Sequence, residues 1–252
     1  MEWNPELVEA VAIVLLGLIA GILDYSAGVG FGIAAAPILV AVMGEDPRSA
    51  AMGVSLAQLA SAIPVLLQHG RKRNIEWSTE KKGIVALIGI GGVLGSATGV
   101  ALASSMGHDA VRTVFALALV VILPVIWVEP RGGGATRRGS LVPLVAGVFA
   151  GVEKAFTGGG FSPLLVAAQR LSGIGLKEAI ALAPAAKMLP LAIISLGYAV
   201  SGYGNLLLAL YLALGSIASA IVSPGILRAV SPSIVKAAIT LTILYAVART
   251  LA

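Results

Sequence analysis

The sequence predicts an all-α integral membrane protein of two inverted repeats, each a Gly-rich broken or re-entrant helix hairpin followed by three transmembrane helices. Three observations predict it: a strongly apolar composition, a regular succession of charge-free runs, and an internal repeat. Of the 252 residues, 58% are hydrophobic and 12% are charged, whereas about a quarter of the residues in a soluble globular domain are charged. This composition excludes an ordinary soluble domain, and we expect a multi-pass protein of the inner (cytoplasmic) membrane.

Charge-free runs follow one another along the chain, and most approach the roughly 20 residues that a helix needs to cross a bilayer core. Their spans are 10–23, 29–44, 49–68, 83–107, 113–128, 141–152, 155–169, 179–200, 204–227 and 237–248. As a helix, the run 141–152 is only about 18 Å long, too short to cross. We therefore interpret 141–152 and 155–169 as a re-entrant hairpin or as two halves of one broken element. One long tilted helix over 141–168 is the competing interpretation.

An internal repeat divides the chain into two halves. The segment GLIAGILDYSAGVGFG, which begins at Gly17, recurs 130 residues later as GVFAGVEKAFTGGGFS, which begins at Gly147. Each copy is followed by a polar loop and then by a long apolar run that contains proline. The sequence thus predicts a first transmembrane repeat over 1–128, a Gly/Arg-rich cytoplasmic linker over 129–140, and a second transmembrane repeat over 141–252.

The distribution of Lys and Arg favours inversion of the second repeat. If each half is a hairpin followed by three crossing helices, 12 basic loop residues lie on the cytoplasmic side and 3 lie outside. With four crossings in each half, the repeats are parallel and the same residues divide 9 to 6. Because cytoplasmic loops of membrane proteins are enriched in Lys and Arg, the first arrangement is the better one.

The few reactive side chains argue against an enzyme. The chain has no Cys and only two His, and both His lie near predicted membrane surfaces. Neither a nucleophile–base pair within the membrane nor a His-rich metal site is therefore visible. We expect no enzymatic activity, no metal and no cofactor. The net charge of +5 lies largely in loops between apolar runs, so we expect a lipid bilayer as partner and no nucleic acid.

The glycine clusters GVGFG (28–32) and GGGFS (158–162) are candidate anion sites. They place Gly28, Gly30, Gly158, Gly159, Gly160 and Ser162 at the starts of short helices. A helix N-terminus has free N–H donors and about half a positive charge, so it can bind an anion without a cationic side chain. Transporters with broken helices use this device near the midplane of the bilayer. The alternative is that these glycines only allow a sharp turn or close helix packing.

Four charged residues fall in apolar surroundings: Asp24, Glu153, Lys154 and Lys187. Each needs a partner or a hydrated cavity, since an unpaired charge at a helix centre costs about 2.5–3.5 kcal/mol. Lys187 lies between two prolines and is a candidate counter-charge for a small anion; the alternative is a structural pair with Glu153 or Asp24. Gln58 falls opposite Lys187 if the second loop lacks one residue, which makes it a candidate ligand.

The two hairpins carry charges at equivalent positions. The offset of 130 residues aligns Asp24 with Lys154, and across a pseudo-two-fold axis these residues could form an ion pair. Asp24 or Glu153 is also a candidate for coupling or gating, because a desolvated carboxyl group binds a proton more tightly. The alternative is that the hairpin tips are hydrated and these charges face water.

Three segments together resemble the TauE/SafE family of sulfite and organosulfonate exporters: GLIAGILDYSAGVGFGIAAAPIL, EDPRSAAMGVSLAQLASAIPVLLQHGRKRNIEW and GVFAGVEKAFTGGGFSPLL. The resemblance covers nearly the whole chain and implies a membrane permease for sulfur-containing anions. In the family the hairpins tend to be uncharged and denser in glycine, whereas the hairpins of this chain contain the charged residues Asp24, Glu153 and Lys154.

These observations predict a secondary transporter that moves sulfite or an organosulfonate across the cytoplasmic membrane by alternating access, in the direction of export. The predicted substrate ligands are the hairpin glycines, Ser162, Lys187, Lys154 and Gln58. The predicted partners are a small anion, a coupling proton or cation, and a second copy of the chain in a homodimer. An anion-selective pore, or a permease for another small carboxylate or oxyanion, is the alternative.

Overall fold

The computed structural model describes residues 5–127, 141–226 and 232–251, and throughout these ranges every regular element is an α-helix. The helices are α1 (Pro5–Ala27), α2 (Phe31–Ala41), α3 (Pro47–Arg71), α4 (Thr79–Ser105), α5 (His108–Trp127), α6 (Val142–Thr157), α7 (Phe161–Leu171), α8 (Leu176–Val200), α9 (Leu206–Ile226) and α10 (Pro232–Leu251). In the described residues, six helices are long and apolar enough to cross a membrane: α1, α3, α4, α5, α8 and α9. The predicted all-α membrane fold is confirmed. The predicted linker 129–140, with its arginines, lies outside the described residues, as does Arg228.

The second hairpin breaks later than the apolar runs suggest. Helix α6 continues through Glu153 and Lys154 to Thr157, and α7 begins at Phe161. Lys154 is accommodated because it donates to Gln58 of α3, and one oxygen of Glu153 accepts from Thr157 one turn later in α6. The helix ends where Gly158 takes a positive φ of 65°, a conformation that glycine adopts without steric cost. A single helix over 141–168 is therefore excluded.

The two halves have matching helices. Helices α2 and α7 each have 11 residues, and α3 and α8 each have 25. The loop before α8 is one residue shorter than the loop before α3. As a result the offset between equivalent residues falls from 130 to 129, and Gln58 stands at the same place in α3 as Lys187 does in α8.

Helix contacts also follow the repeat. Helix α1 packs on α9 and α4 packs on α6; likewise α3 packs on α9 and α4 packs on α8. If each helix is replaced by its equivalent in the other half, the α1–α9 contact becomes the α4–α6 contact, and the α3–α9 contact becomes the α4–α8 contact. Each hairpin therefore packs against a long helix of the opposite half, so the two halves are interlocked.

The two ends of the bundle are marked by different polar contacts. At one end the Asn205 side chain donates to Glu45 Oε1 at 3.0 Å, which places the start of α3 beside the start of α9. At the other end Lys81 Nζ lies 2.7 Å from Glu178 Oε1, which places the start of α4 beside the start of α8. The equivalent helices α3 and α8 thus begin at opposite ends. The inversion of the repeats stays a prediction, and this arrangement is the observation that supports it.

A buried arginine organises the first of these ends. Arg48 contacts Asp46 at 2.8 Å, donates to the carbonyl of Met106 at 3.1 Å, and lies 3.8 Å from the centre of the Tyr203 ring. Burial alone would raise the pKa of Asp46, but hydrogen bonds from Arg48 and His108 lower it to about 2. Because the folded-state pKa is below the ordinary value of 3.8, the stabilisation is complete above that value and is lost as the pH falls towards 2.

Glycines let the backbones of α4 and α6 approach closely. A β-carbon at Gly95 would lie 2.9 Å from Cα of Val148, and one at Gly91 would lie 3.0 Å from the Val148 nitrogen. Small residues at such positions are typical of membrane helix interfaces, where close van der Waals packing drives association. This contact holds the second hairpin against the first half.

Gly95→Ala is expected to destabilise the protein by about 1–3 kcal/mol, because the added methyl group overpacks the α4–α6 contact. Gly83→Ala, near the start of the same helix, is the matched control, since nothing lies within 4 Å of its β-carbon position. There alanine is expected to be neutral or to stabilise by up to about 1 kcal/mol through helix propensity. Thermal unfolding of the purified variants in detergent measures both. Equal melting temperatures would contradict the close packing described here.

Candidate functional site

The tips of the two hairpins meet inside the bundle. Each tip is a short turn between a long helix and an 11-residue helix, and each contains two glycines with positive φ. These are Gly28 (67°) and Gly30 (107°) in the first turn, and Gly158 (65°) and Gly160 (47°) in the second. The start of α2 touches the second turn directly, because Gly32 lies against the backbone of Gly158 and Gly159. A side chain at residue 32 would separate the tips.

Both short helices begin without a side-chain cap. Their N-cap residues are Gly30 and Gly160, which have no side chain, and neither cap makes a side-chain hydrogen bond. The N–H groups of a first turn have no partner within the helix, and they carry the positive end of the helix dipole. Two such N-termini therefore converge on the same region.

An ion pair joins the two halves beside these turns. Lys187 Nζ in the middle of α8 lies 2.7 Å from Asp24 Oδ2 near the end of α1, and both side chains are only 2% exposed. Lys187 also donates to Ser162 Oγ at 3.0 Å, at the start of α7. The same Asp24 oxygen accepts a hydrogen bond from Gln58 Nε2 at 2.9 Å. The carboxylate is thus held by one charged and one neutral donor.

Lys154 extends this network on the other side of Gln58. Its Nζ donates to Gln58 Oε1 at 2.6 Å and to the carbonyl oxygen of Gly158 at 2.5 Å. The residue is 1% exposed. A continuous chain of hydrogen bonds therefore runs from Ser162 through Lys187, Asp24 and Gln58 to Lys154. We call these five residues the central cluster.

The two lysines of the central cluster differ in their counter-charges. Lys187 has the Asp24 carboxylate, whereas both acceptors of Lys154 are neutral. Over the ranges that the structure describes, no carboxylate lies within salt-bridge distance of Lys154. With both lysines protonated, the five residues of the cluster carry one more positive than negative charge, before the neighbouring Glu153 is counted. Such a site is suited to an anion.

Glu153 lies beside the cluster but outside its hydrogen-bond chain. Its Oε1 accepts a hydrogen bond from Thr157 Oγ1 at 2.6 Å. Its Oε2 is buried and has no hydrogen-bond partner among the described residues. The carboxylate occupies the space that a β-carbon at Gly160 would need, so it lies directly at the start of α7.

Comparison with known families identifies the chain. The family model for the sulfite exporter TauE/SafE matches residues 13–250, nearly the whole sequence. The chain belongs to the TauE/SafE sulfite exporter family. The members of this family are membrane permeases, and the family implies a membrane exporter of sulfite or a related sulfur anion. No curated protein and no solved structure matches the chain.

The structure of this TauE/SafE protein brings most of the predicted site residues together. The sequence predicts every member of the central cluster as a site residue, but it does not determine which members pair with each other. Lys187 adopts the alternative that the sequence left open, a pair with Asp24. The ion pair of Asp24 with Lys154 suggested by the offset is not formed, because Gln58 lies between them and bonds to both. Their roles in substrate binding stay predictions.

A group of buried hydroxyls next to the cluster was not predicted. Tyr25 OH bonds to Ser216 Oγ at 3.0 Å and also to Ser61 Oγ, while Ser61 and Ser216 lie 2.7 Å apart. The ring of Tyr25 is 5.7 Å from Lys187 Nζ. One signal was available: Ser61 follows Gln58 by three residues, so it lies on the same face of α3. Ser216, far along the chain, gave no such signal.

Proposed function

We propose that this TauE/SafE protein is a secondary transporter that carries a small sulfur oxyanion, such as sulfite or an organosulfonate, out across the inner membrane by alternating access. The observation that carries the proposal is Lys154, a buried ammonium held by two neutral acceptors at the meeting point of the hairpin tips. A second ammonium, Lys187, lies in the same hydrogen-bond chain. The family match supports the sulfur-containing class of anion.

Anion binding follows from the donors that converge here. Lysine ammonium groups offer several N–H donors to an oxyanion, and hydrogen bonds to charged groups are about twice as strong as neutral ones. The uncapped start of α2 adds backbone donors and the positive end of a helix dipole, and the start of α7 adds the same beside the Glu153 carboxylate. A small oxyanion with several oxygens can accept from both kinds of donor at once.

Alternating access is supported by the division of the site between the halves. Asp24 and Gln58 come from the first half, whereas Lys154, Ser162 and Lys187 come from the second. A rocking motion of one half against the other would open the cluster towards one end and close it at the other. The contact of Arg48 with Tyr203 would break in one state, and the contact of Glu178 with Lys81 would break in the other.

Counterflow in proteoliposomes tests this function. The purified protein is reconstituted with unlabelled sulfite inside, and uptake of labelled sulfite is followed in competition with thiosulfate, sulfoacetate, sulfate and carboxylates. We expect saturable uptake that requires internal sulfite and is inhibited by sulfur oxyanions more strongly than by carboxylates. Protein-free liposomes are the control. Uptake that does not saturate and does not depend on internal anion would indicate a pore, and no uptake would overturn the proposal.

A further inference from the structure

Glu153 is a buried carboxylate to which the proposed anion binding gives no role. Thr157 satisfies one of its oxygens, whereas Oε2 is buried without a hydrogen-bond partner in the described part of the chain. Asp24 differs in that Lys187 and Gln58 both donate to it. An ionised carboxylate with an unsatisfied buried oxygen is costly, and a bound proton removes the charge that causes the cost.

The charges that face Glu153 come from the central cluster. The neighbouring Lys154 is the nearest charged residue in sequence, and its ammonium acts electrostatically on the Glu153 carboxylate. Helix α4, which packs on α6, has no charged residue between Lys82 and His108, and α3 has none between Arg48 and His69. Helix α7 has none before Arg170, and α5 has none after Arg112. Lys154 is therefore the charged side chain that acts on Glu153, whose carboxylate also lies at the positive start of α7.

The balance of charge links Glu153 to the anion. With Glu153 ionised, the two lysines are balanced by two carboxylates and the buried site is neutral. With Glu153 protonated, the site has one excess positive charge. Protonation therefore favours anion binding, and by thermodynamic reciprocity a bound anion favours protonation by the same factor.

We propose that Glu153 binds one proton together with each transported anion and is the coupling site of the transporter. The proton comes from water at one side of the membrane, forms the Oε2–H bond when the anion enters the cluster, and is released to water at the other side when the anion leaves. Asp24 stays ionised throughout as the partner of Lys187. This inference rests on the proposed transport of a sulfur oxyanion.

A proton gradient applied to proteoliposomes tests the inference. Labelled sulfite uptake is measured with an inward proton gradient and with the membrane potential clamped to zero by potassium and valinomycin. Both compartments are kept alkaline, so that the sulfite dianion predominates on both sides. The wild type is expected to accumulate sulfite by about tenfold for a tenfold proton gradient, since one proton accompanies each anion.

Glu153→Gln is expected to abolish this accumulation while counterflow of sulfite stays within about threefold of the wild type, because the neutral amide resembles the protonated acid and its oxygen can still accept from Thr157. Asp109→Asn, at an exposed acid of α5, is the matched control and is expected to accumulate sulfite like the wild type.

Four results would overturn the inference. Accumulation by Glu153→Gln at the wild-type level would exclude Glu153 as the proton site. Loss of counterflow in Glu153→Gln would assign the side chain to binding or folding. Wild-type counterflow that does not respond to the proton gradient would exclude proton coupling while leaving the proposed function intact. Absence of counterflow in the wild type would overturn the proposed function and this inference with it.

Discussion

Lys154→Gln is expected to lower sulfite exchange at least about tenfold while the protein stays folded. Loss of a hydrogen bond to a charged group costs about 1.5–3 kcal/mol, and each 1.4 kcal/mol corresponds to about a tenfold change in affinity. The fold is expected to survive because the glutamine amide can still donate to Gln58 or to the carbonyl of Gly158. No carboxylate loses its salt bridge, since Lys154 forms none among the described residues.

The rate of sulfite counterflow, measured as a function of concentration, checks this expectation. Lys177→Gln is the matched control, because Lys177 is an exposed lysine at the start of α8 and its replacement makes the same change in net charge. Thermal unfolding in detergent establishes that both variants are folded. Equal sulfite affinity in Lys154→Gln and in the wild type would remove Lys154 from the site.

Asp24→Asn is expected to destabilise the protein by about 3–5 kcal/mol, because removing one partner of a buried ion pair leaves the other charge uncompensated. Lys187 would then remain buried at 1% exposure, and its two acceptors, Ser162 and the introduced asparagine, would both be neutral. The expected result is a large fall in the melting temperature, or a low yield of folded protein. Thermal unfolding in detergent measures it.

The double variant Asp24→Asn/Lys187→Gln separates a structural pair from a substrate site. Removing both charges is expected to restore most of the stability, because neutral partners can satisfy each other by hydrogen bonds. If Lys187 also contacts the anion, the restored protein still exchanges sulfite at least about tenfold more weakly than the wild type. A double variant with full stability and full exchange would confine Lys187 to the structural role. A double variant no more stable than Asp24→Asn would contradict the pairing.

The repeat made much of the fold predictable from the sequence. The equal spacing of glycines in the two copies predicts the positions of both hairpin turns, because each turn needs residues that tolerate positive φ. A one-residue shortening of the second loop placed Gln58 opposite Lys187, and the helix bounds agree with it. Charges within apolar runs marked Asp24, Lys154 and Lys187 because a membrane tolerates such residues only with partners.

Partner choice within the cluster could not be predicted. The repeat pairs residues that are equivalent, such as Asp24 and Lys154, but contacts across the interface join residues that are not equivalent. Asp24 thus meets Lys187, the counterpart of Gln58, and Lys154 meets Gln58 itself. The break of the second hairpin was also displaced, since hydrophobic runs end at charges whereas α6 ends where Gly158 changes the backbone.

Under the proposed function, the buried lysines of the cluster hold a sulfur oxyanion. Titration calorimetry of sulfite into the purified protein in detergent examines this binding on its own, because it is measured apart from translocation. We expect one saturable site in the wild type, with affinity at least about tenfold lower in Lys154→Gln and unchanged in Lys177→Gln. Sulfite binding of equal affinity in the wild type and in Lys154→Gln, or no binding to the folded wild type, would contradict it.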